Sequence, residues 1–328
     1  RRSSCRPRRR SSAMWKRDRS RCNTLLREHV QGSPFHVLVK RSITSVTKSP
    51  RVMTKLKKPC GLVCNGKGEV LVVESGLSKF NDPDGITVDG SDNILVVDSG
   101  NHRVQKFTAE GEFITTVGTK GDGPLQFNRP TNIKIHPQTG NMYICDQYNH
   151  RVQIVKEDFS FVGSFGKEGN EDGDLYGPSD VAFDDTGNVY VCDSWNNRIQ
   201  VFHQSGQFLR KFGDKKVEGD DGTQSPLLSS AHMTVNNGEV VLDAVPFSSE
   251  GTSGVSLPSG LYIDSDGYVF VTEATNCVSI FKTDGTFVTS FGASGNALGE
   301  FNTPHGIARN CEGVVCVSDY GNSRVQLF

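Results

Sequence analysis

The stretch that decides the fold is Phe80-Asn81-Asp82-Pro83-Asp84-Gly85-Ile86, because variants of it recur along the chain. They stand at residues 127–133, 175–181, 255–261 and 301–307, and Lys58-Pro59-Cys60-Gly61-Leu62 makes a further start. The units begin near residues 59, 83, 130, 178, 258 and 304, and the regular ones have nearly the same length. A repeat of about 47 residues with several strands per unit is typical of a β-propeller.

A second signature follows the proline in each unit. Residues 93–105 read Asn-Ile-Leu-Val-Val-Asp-Ser-Gly-Asn-His-Arg-Val-Gln, and residues 141–153, 188–200 and 314–326 repeat this pattern. The run of four apolar residues indicates a strand that is buried on both faces, as happens when blades stack radially. The polar residues after it predict a turn into the next strand.

Four units place an Asp and an Arg at the same short spacing: Asp98 with Arg103, Asp146 with Arg151, Asp193 with Arg198, and Asp319 with Arg324. Across a hairpin, this spacing brings the carboxylate and the guanidinium together and locks the turn. We interpret these pairs as structural, because an active site would break the symmetry that they define.

These motifs resemble the NHL repeat, a β-propeller repeat named after an Asn-His-Leu signature. Asn101-His102-Arg103 and Asn149-His150-Arg151 stand at the place of that signature. The resemblance covers roughly residues 53–328. It implies an all-β fold, namely a six-bladed propeller with four-stranded blades.

The first unit departs from the pattern, because the interval from Glu74 to Asp98 is only about half of a regular unit. About half of the first blade is therefore missing from its usual place. The last unit stops at Phe328, after its third strand. We expect the N-terminal segment 52–56 to supply the outer strand of that last blade and so to close the ring.

An insertion precedes blade five, because the interval from Asp193 to Glu273 is much longer than a regular unit. Residues 214–254 are rich in Ser, Gly and Asp, which predicts a loop. Its only predicted strand is Glu239-Val240-Val241-Leu242. Both the short first blade and this inserted loop could be genuine features or errors at exon boundaries.

Charge divides the chain in two. Residues 1–58 hold 18 Lys and Arg against two acidic residues, whereas the remainder holds 18 basic and 35 acidic residues, a balance of −17. The basic tail at residues 1–31 is predicted to be disordered, and it could touch nucleic acid or an acidic surface. The chain begins with Arg and shows no signal peptide or apolar membrane span. We expect a fragment of a longer cytoplasmic protein without membrane contact.

Residues 32–41 contain Gly-Ser-Pro-Phe-His-Val-Leu-Val, which is similar to the last strand of a filamin-type immunoglobulin repeat. A filamin repeat followed by NHL repeats is the C-terminal order of tripartite-motif proteins, so the chain resembles the TRIM-NHL family. The resemblance implies an upstream RING, B-boxes and coiled coil in a full-length RING-type E3 ubiquitin ligase that performs protein polyubiquitination. It also implies that this chain is the substrate-recognition end, without the catalytic RING.

Nothing in the sequence indicates a metal or catalytic site. The nine cysteines include no paired Cys-x-x-Cys with His at zinc-finger spacing, and an odd count suits the reducing cytosol. Cys145, Cys192 and Cys316 lie in predicted buried strands and fit as small core residues. Six-bladed hydrolases use a metal held by inward side chains from different blades. We find no such set, no Gly-x-Ser-x-Gly and no His-Glu-x-x-His, so we expect a binding module without catalysis, metal or cofactor.

Propeller geometry predicts where binding occurs. The loop before each inner strand and the loop between the second and third strands emerge on one face. Tyr148, Trp195 and Tyr320 stand out there, because the repeat tolerates Gly100 at that place. Exposed aromatics suit base stacking or a protein hot spot, and packing against neighbouring loops is the alternative. The candidate binding residues are Asn101, His102, Arg129, Thr131, Tyr148, Asn149, His150, Trp195, Asn196, Thr303, His305, Tyr320 and Asn322.

For His102 and His150, a structural role in the turn is the alternative to binding, because they occupy the repeat's own His position.

Two classes of binding partner remain open. The first partner is a protein substrate or adaptor, which agrees with a propeller of −17 that would repel a polyanion. The second is single-stranded or hairpin RNA, as for several propellers of this family in post-transcriptional regulation, and it requires a basic face. The loops offer Arg129 and few Lys beside Asp82, Asp84 and Asp180, which favours a protein.

Overall fold

A computed structural model of the protein describes residues 36–38, 51–53, 56–75, 80–214, 232–236, 239–243, 254–310 and 313–328. The predicted tail at residues 1–31 lies outside these residues. Strands dominate the described chain, and its short 3₁₀ turns are Ser99–Asn101, Gln147–Asn149 and Ser194–Asn196. No helix in this part of the chain is long and apolar enough to cross a membrane.

Blade one is truncated, as the sequence predicts. Its own strands are β3 (Pro59–Cys64) and β4 (Val70–Glu74), and two short strands precede them, β1 (His36–Leu38) and β2 (Arg51–Met53). β1 pairs antiparallel with β4, so the strand order is β3-β4-β1. β1 thus takes the place of the missing third strand.

Blades two to four are regular antiparallel sheets in which the strands follow chain order from the inner strand outward. Blade two consists of β5 (Ile86–Val88), β6 (Ile94–Asp98), β7 (Arg103–Phe107) and β8 (Phe113–Val117). A short parallel pair follows, β9 (Thr119–Lys120) and β10 (Gln126–Phe127). Blade three consists of β11 (Pro130–Ile135), β12 (Met142–Asp146), β13 (Arg151–Val155) and β14 (Phe161–Phe165). Blade four consists of β15 (Pro178–Phe183), β16 (Val189–Asp193), β17 (Arg198–Phe202) and β18 (Phe208–Phe212).

The insertion before blade five contains a hairpin: the strand predicted at residues 239–242 is present, but the prediction that it is the only strand there was wrong. β19 (His232–Asn236) pairs antiparallel with β20 (Glu239–Asp243). The sequence His-Met-Thr-Val-Asn alternates polar and apolar residues, and this weaker strand signal is missed when continuous apolar runs are sought. Blade five then follows with β21 (Pro258–Ile263), β22 (Tyr268–Glu273), β23 (Cys277–Lys282) and β24 (Phe287–Phe291).

The ring closes through the N-terminal segment, as predicted. Blade six holds β25 (Pro304–Arg309), β26 (Val315–Asp319) and β27 (Arg324–Leu327), and β2 adds its outer strand. Val52 pairs with Gln326 in an antiparallel register, and Leu56 packs in one cluster with Leu327. The inner strands β3, β5, β11, β15, β21 and β25 contact one another in that order, and β25 returns to β3. The fold is therefore a closed six-bladed propeller.

The core lies between neighbouring blades. In the cluster between blades three and four, Tyr143 and Cys145 of one sheet pack against Val181 and Val191 of the next, and all are at most 1% exposed. Cys145, Cys192 and Cys316 are fully buried, as the sequence predicts. Burial raises the pKa of the Cys145 and Cys192 thiols well above the usual range.

Candidate upper-face binding site

The loop before each inner strand and the loop between the second and third strands emerge on one face of the propeller, which we call the upper face. A buried Asp at the end of the second strand organises these loops. In blade four, Asp193 Oδ1 accepts the N–H of Tyr176 at 2.6 Å. Its Oδ2 accepts hydrogen bonds from Arg198 Nε at 2.6 Å and from the side-chain amides of Asn196 and Gln200 at 2.9 Å each. The same four partners recur around the other three members of this set, Asp98, Asp146 and Asp319.

The arginines of these pairs also hold the loop that enters their blade. Arg198 donates to the carbonyl oxygens of Asn170, Glu171 and Asp174 at 2.8 to 3.0 Å. Arg151 and Arg324 make the equivalent contacts in blades three and six. In blade two, Arg103 keeps its salt bridge of 2.8 Å with Asp98, and its side chain stays 34% exposed.

Blades one and five keep the carboxylate with Glu in place of Asp. Glu74 Oε2 accepts the N–H of Lys57 at 3.0 Å, and Glu273 Oε2 accepts the N–H of Ser256 at 2.8 Å. In blade five, where the sequence has no Arg, the hydroxyl of Ser279 donates to Glu273. The carboxylate that fixes the entering loop is thus common to all six blades.

A second repeated contact joins neighbouring blades at the four junctions from blade two to blade six. His102 adopts a left-handed conformation with φ of 56°, and its Nδ1 accepts the N–H of Arg129 at 3.0 Å. His150 does the same for Gly177 at 3.1 Å. Asn side chains replace His at the later positions, where Asn197 accepts from Leu257 and Asn276 accepts from Thr303. Burial, together with the positive charges of Lys120 and Arg129, lowers the pKa of His102.

Several candidate binding residues are used within the fold. The side-chain amides of Asn149, Asn196 and Asn322 each donate to a loop carbonyl, at 2.7 to 2.9 Å, and to the Asp of their own blade. Asn101 donates to Asp98 at 2.9 Å. Thr131 is only 5% exposed, and its hydroxyl donates to the carbonyl oxygen of Ser179.

Charged candidates lie where the inner strands begin. Arg129 forms a salt bridge with Asp82, and both side chains remain about half exposed. His305 Nδ1 lies 3.4 Å from Asp84 Oδ1. Burial raises the pKa of Asp84, while the nearby His305 opposes that shift. Thr303 is exposed and precedes this group in blade six.

Four rings meet on the upper face of blades three and four, and we call them the ring cluster: Tyr148, His150, Tyr176 and Trp195. Trp195 lies edge-on to Tyr148 and Tyr176, with centroid distances of 5.3 and 4.9 Å. His150 stacks on Tyr176 at 5.1 Å and meets Trp195 at 5.7 Å. Tyr148 is 46% and Tyr176 39% exposed. The cluster is thus packed internally and presents two tyrosines to solvent.

The sequence of blade four explains why the rings can meet. Trp195 covers Gly177, where a Cβ atom would lie 2.3 Å from the indole ring. The other repeats carry a side chain at that left-handed position: Lys58, Asp82, Arg129, Leu257 and Thr303. Tyr176 also replaces the Asn or Ser found in the other regular starts. Our sequence analysis missed Tyr176, although this substitution was a visible signal.

Tyr320 does not belong to the ring cluster, and its alignment with Gly100 was wrong by one residue. Gly321 takes that place, because its N–H donates to the carbonyl oxygen of Asn302 at 2.8 Å, as that of Gly100 donates to Asn81 at 2.8 Å. Tyr320 packs against the core between blades one and two. The Lys58 ammonium lies 5.7 Å from its ring centroid.

Among the residues that the structure describes, no group of three or more His, Cys, Asp or Glu side chains could hold a metal ion. The upper face therefore offers three kinds of group. These are amides and hydroxyls engaged in the scaffold, ion pairs near the inner strands, and the ring cluster.

The closed ring of blades with repeated loop contacts defines the class of the protein as a β-propeller. The family model described as NHL repeat matches residues 80–107, 175–202 and 301–328. Each match begins a few residues before the inner strand and covers the three inner strands of blade two, four or six. The chain thus carries NHL repeats that form a β-propeller.

Solved structures share this fold at low sequence identity. Virginiamycin B lyase from Staphylococcus aureus, solved with quinupristin, is 15% identical over 85% of each chain, with a TM-score of 0.55. A gluconolactonase from Xanthomonas campestris is 13% identical over 85% of this chain and 88% of its own, with a TM-score of 0.51. A putative gluconolactonase is 13% identical over 85% of this chain and 91% of its own, with a TM-score of 0.53. These likenesses show the fold alone. No curated protein matches the chain in sequence.

Proposed function

We propose that this propeller is a protein-binding module that holds its partner with the upper face of blades three and four. The observation that carries the proposal is the exposure of Tyr148 and Tyr176, at 46% and 39%. The repeat folds with Gly100 and Asn81 at the equivalent places, so the scaffold does not require these rings. Large aromatic side chains that are held by packing and remain exposed are typical of interface hot spots.

The resemblance to the TRIM-NHL family extends this proposal. The partner is then a protein substrate or an adaptor, and the chain is the recognition part of a cytoplasmic RING-type E3 ubiquitin ligase. The RING, B-boxes and coiled coil would belong to a full-length protein. This extension rests on the sequence of residues 32–41 followed by NHL repeats. In this proposal the chain itself binds and does not catalyse, and it needs no cofactor.

RNA binding is the second candidate, because exposed rings also stack on bases. The charges of the described upper face argue against it. Arg129, the candidate phosphate contact, already pairs with Asp82, and Asp84 lies beside His305. Neutralising phosphates requires cations that are free to bind them. We therefore place a protein partner before RNA.

The test compares the full chain with a variant in which Tyr148→Ala and Tyr176→Ala are combined. Proteins captured by each form from a lysate are identified, and the best candidate is purified and titrated directly. We expect the double variant to bind this protein at least about 10-fold more weakly, because hot-spot rings each contribute more than ~1 kcal/mol. A randomised RNA pool is titrated in parallel at physiological salt.

Phe113→Ala is the matched control, since Phe113 is 57% exposed on the outer strand of blade two. All variants should remain folded, with thermal midpoints no more than about 10 °C below that of the parent. RNA that is enriched by the parent and lost in the double variant would make the propeller an RNA reader. Partner binding that is indifferent to both tyrosines would show that this face is not the site.

A further inference from the structure

The loop that enters blade four is more acidic than the equivalent loops of blades three and six. Residues 167–174 contain Glu168, Glu171, Asp172 and Asp174 against one basic residue, Lys167. The equivalent loop before blade three, residues 119–126, holds one Lys and one Asp, and that before blade six, residues 293–300, holds a single Glu. The loop of the blade that carries Tyr176 and Trp195 is thus more negative than the equivalent loops of blades three and six.

The scaffold fixes this loop beside the ring cluster. Asn196, which follows Trp195 directly, donates to the carbonyl oxygen of Gly169 at 2.9 Å. Arg198 holds the carbonyl oxygens of Asn170, Glu171 and Asp174. Because these bonds use backbone oxygens, the carboxylates of the loop stay available for other contacts.

Within the described part of the chain, two of the four loop carboxylates form salt bridges and the other two form none. Asp172 lies 2.9 Å from Lys211, and Asp174 lies 3.5 Å from Lys167. Glu168 and Glu171 are exposed, and neither forms a salt bridge with any residue that the structure describes. Unpaired surface carboxylates beside aromatic rings generate a negative potential at that point of the face.

The arginines of the two blades do not cancel this potential at the rings. The side chains of Arg151 and Arg198 are largely buried, and each is bound to the Asp of its own blade. The faces of tyrosine rings also carry negative electrostatic potential, which attracts ammonium and guanidinium groups. Exposed rings and exposed carboxylates therefore favour the same kind of ligand, and both repel a phosphate.

We propose that the ring cluster and the loop at residues 167–174 together form a site for a positively charged side chain, a lysine or an arginine in an extended segment of the partner. The cation lies on the exposed face of Tyr148 or Tyr176, and Glu168 and Glu171 attract it from the side. This inference rests on the protein-binding function proposed above and adds the chemistry of the bound segment.

The test titrates the full chain with fluorescent twelve-residue glycine–serine peptides that carry three lysines, three arginines or three norleucines. Norleucine keeps the apolar stem of lysine without the ammonium group. We expect the lysine and arginine peptides to bind, and the norleucine peptide to bind at least about 5-fold more weakly. Fluorescence anisotropy at low and at physiological salt gives the affinities.

Four variants locate the site. Tyr148→Leu and Tyr176→Leu keep apolar area but remove the ring, and each should weaken lysine-peptide binding about 2- to 5-fold. Glu171→Gln should weaken it about 2-fold at low salt and less at high salt, because screening shortens the reach of an exposed charge. Glu110→Gln, an exposed acid in blade two, should leave binding unchanged, and Phe113→Leu serves as the ring control.

Equal binding of the lysine and norleucine peptides would overturn the inference, as would an equal loss in Tyr148→Leu and Phe113→Leu. The proposed function fails separately. If the double alanine variant still loses the captured protein while peptide charge has no effect, protein binding stands and its cationic chemistry is wrong. If the tyrosine variants affect neither the peptides nor the protein, both are wrong.

Discussion

The same loops of blade four hold two sets of side chains, a polar network and a pair of aromatic rings, and only the polar network recurs in other blades. The network of Asp193, Asn196 and Arg198 recurs with the same partners in three other blades. The combination of Tyr176 and Trp195 occurs in blade four alone. In a chain built by repetition, contacts that recur hold the fold, whereas a departure from the repeat that leaves rings exposed marks a surface that can serve another purpose.

The two parts also differ in burial, and burial sets the expected cost of change. Asp193 is fully buried and Arg198 is 3% exposed, whereas Tyr148 and Tyr176 are 46% and 39% exposed. Removing one partner of a buried ion pair leaves a charge without compensation. Removing a half-exposed ring forfeits some buried area but leaves no charge unpaired. The network should therefore govern stability, and the ring cluster should govern binding.

The largest effect is expected from Asp193→Ala. The substitution leaves the buried Arg198 guanidinium unpaired and also frees the N–H of Tyr176, so we expect the free energy of unfolding to fall by about 3–5 kcal/mol. Chemical denaturation of the full chain, followed by circular dichroism, measures the loss. Tyr148→Ala in the same assay should cost less, about 1–2 kcal/mol, because it removes a half-exposed ring and its edge-on contact with Trp195.

Adding Arg198→Met to Asp193→Ala separates the buried charge from the lost hydrogen bonds. The double variant should be more stable than Asp193→Ala alone, because no unpaired guanidinium remains. If Asp193→Ala costs as little as Tyr148→Ala, the division between a structural network and a binding surface is wrong.

Gly177→Ala should have an intermediate effect, because Gly177 lies where the two parts touch. A Cβ atom there would stand 2.3 Å from the Trp195 ring, so the indole must move. We expect a loss of about 1–3 kcal/mol and a change in the near-ultraviolet circular dichroism of the rings.

The control is Gly177→Ala combined with Trp195→Gly, which restores the kind of pairing found in blade two, where Asp82 accompanies Gly100. In this background Gly177→Ala should retain only the strain of the left-handed backbone, about 1–2 kcal/mol at most. An unchanged near-ultraviolet spectrum in Gly177→Ala would mean that the ring cluster does not depend on this glycine.

The sequence predicted those features that are local and repeated. The proline starts, the apolar runs and the Asp–Arg spacing predicted the blades and the ring closure through Val52, because each signal depends on neighbouring residues and recurs. The pairing of β1 with β4 was not predictable, since Leu38 and Val70 are distant in the sequence and no local pattern specifies which edge such a short strand will join.

The binding surface was predicted less completely for a related reason. Residue type drew attention to Tyr148 and Trp195, but Tyr176 became visible only as a departure from Asn at its place in the repeat. Tyr320 was included among the candidate binding residues because it was aligned with Gly100, one position away from its correct place. The small and polar residues of this turn do not reveal such a shift. The hydrogen bonds of Gly321 fix the register, and these are known only from the structure.

The smallest expected effect concerns His102, which belongs to the scaffold although its residue type suggests chemistry. Burial and the nearby Lys120 and Arg129 lower its pKa from 6.5, so folding favours the neutral ring that accepts the N–H of Arg129. This contribution is complete above the unfolded pKa, and it is lost as the pH falls from about 6.5 through the lower folded pKa. Wild type should lose stability over that interval relative to a variant that cannot titrate.

His102→Asn is that variant, because Asn197 and Asn276 make the same contact in other blades. Its thermal midpoint should be close to that of wild type at pH 8 and relatively higher at pH 5. His102→Ala lacks the acceptor and should cost about 1 kcal/mol at pH 8. If the thermal midpoints of wild type and His102→Asn differ by the same amount at pH 8 and at pH 5, proton binding at His102 is not coupled to folding. Such a result would leave only the hydrogen bond to Arg129 as its role, and the interchange of His and Asn among the repeats would then reflect geometry alone.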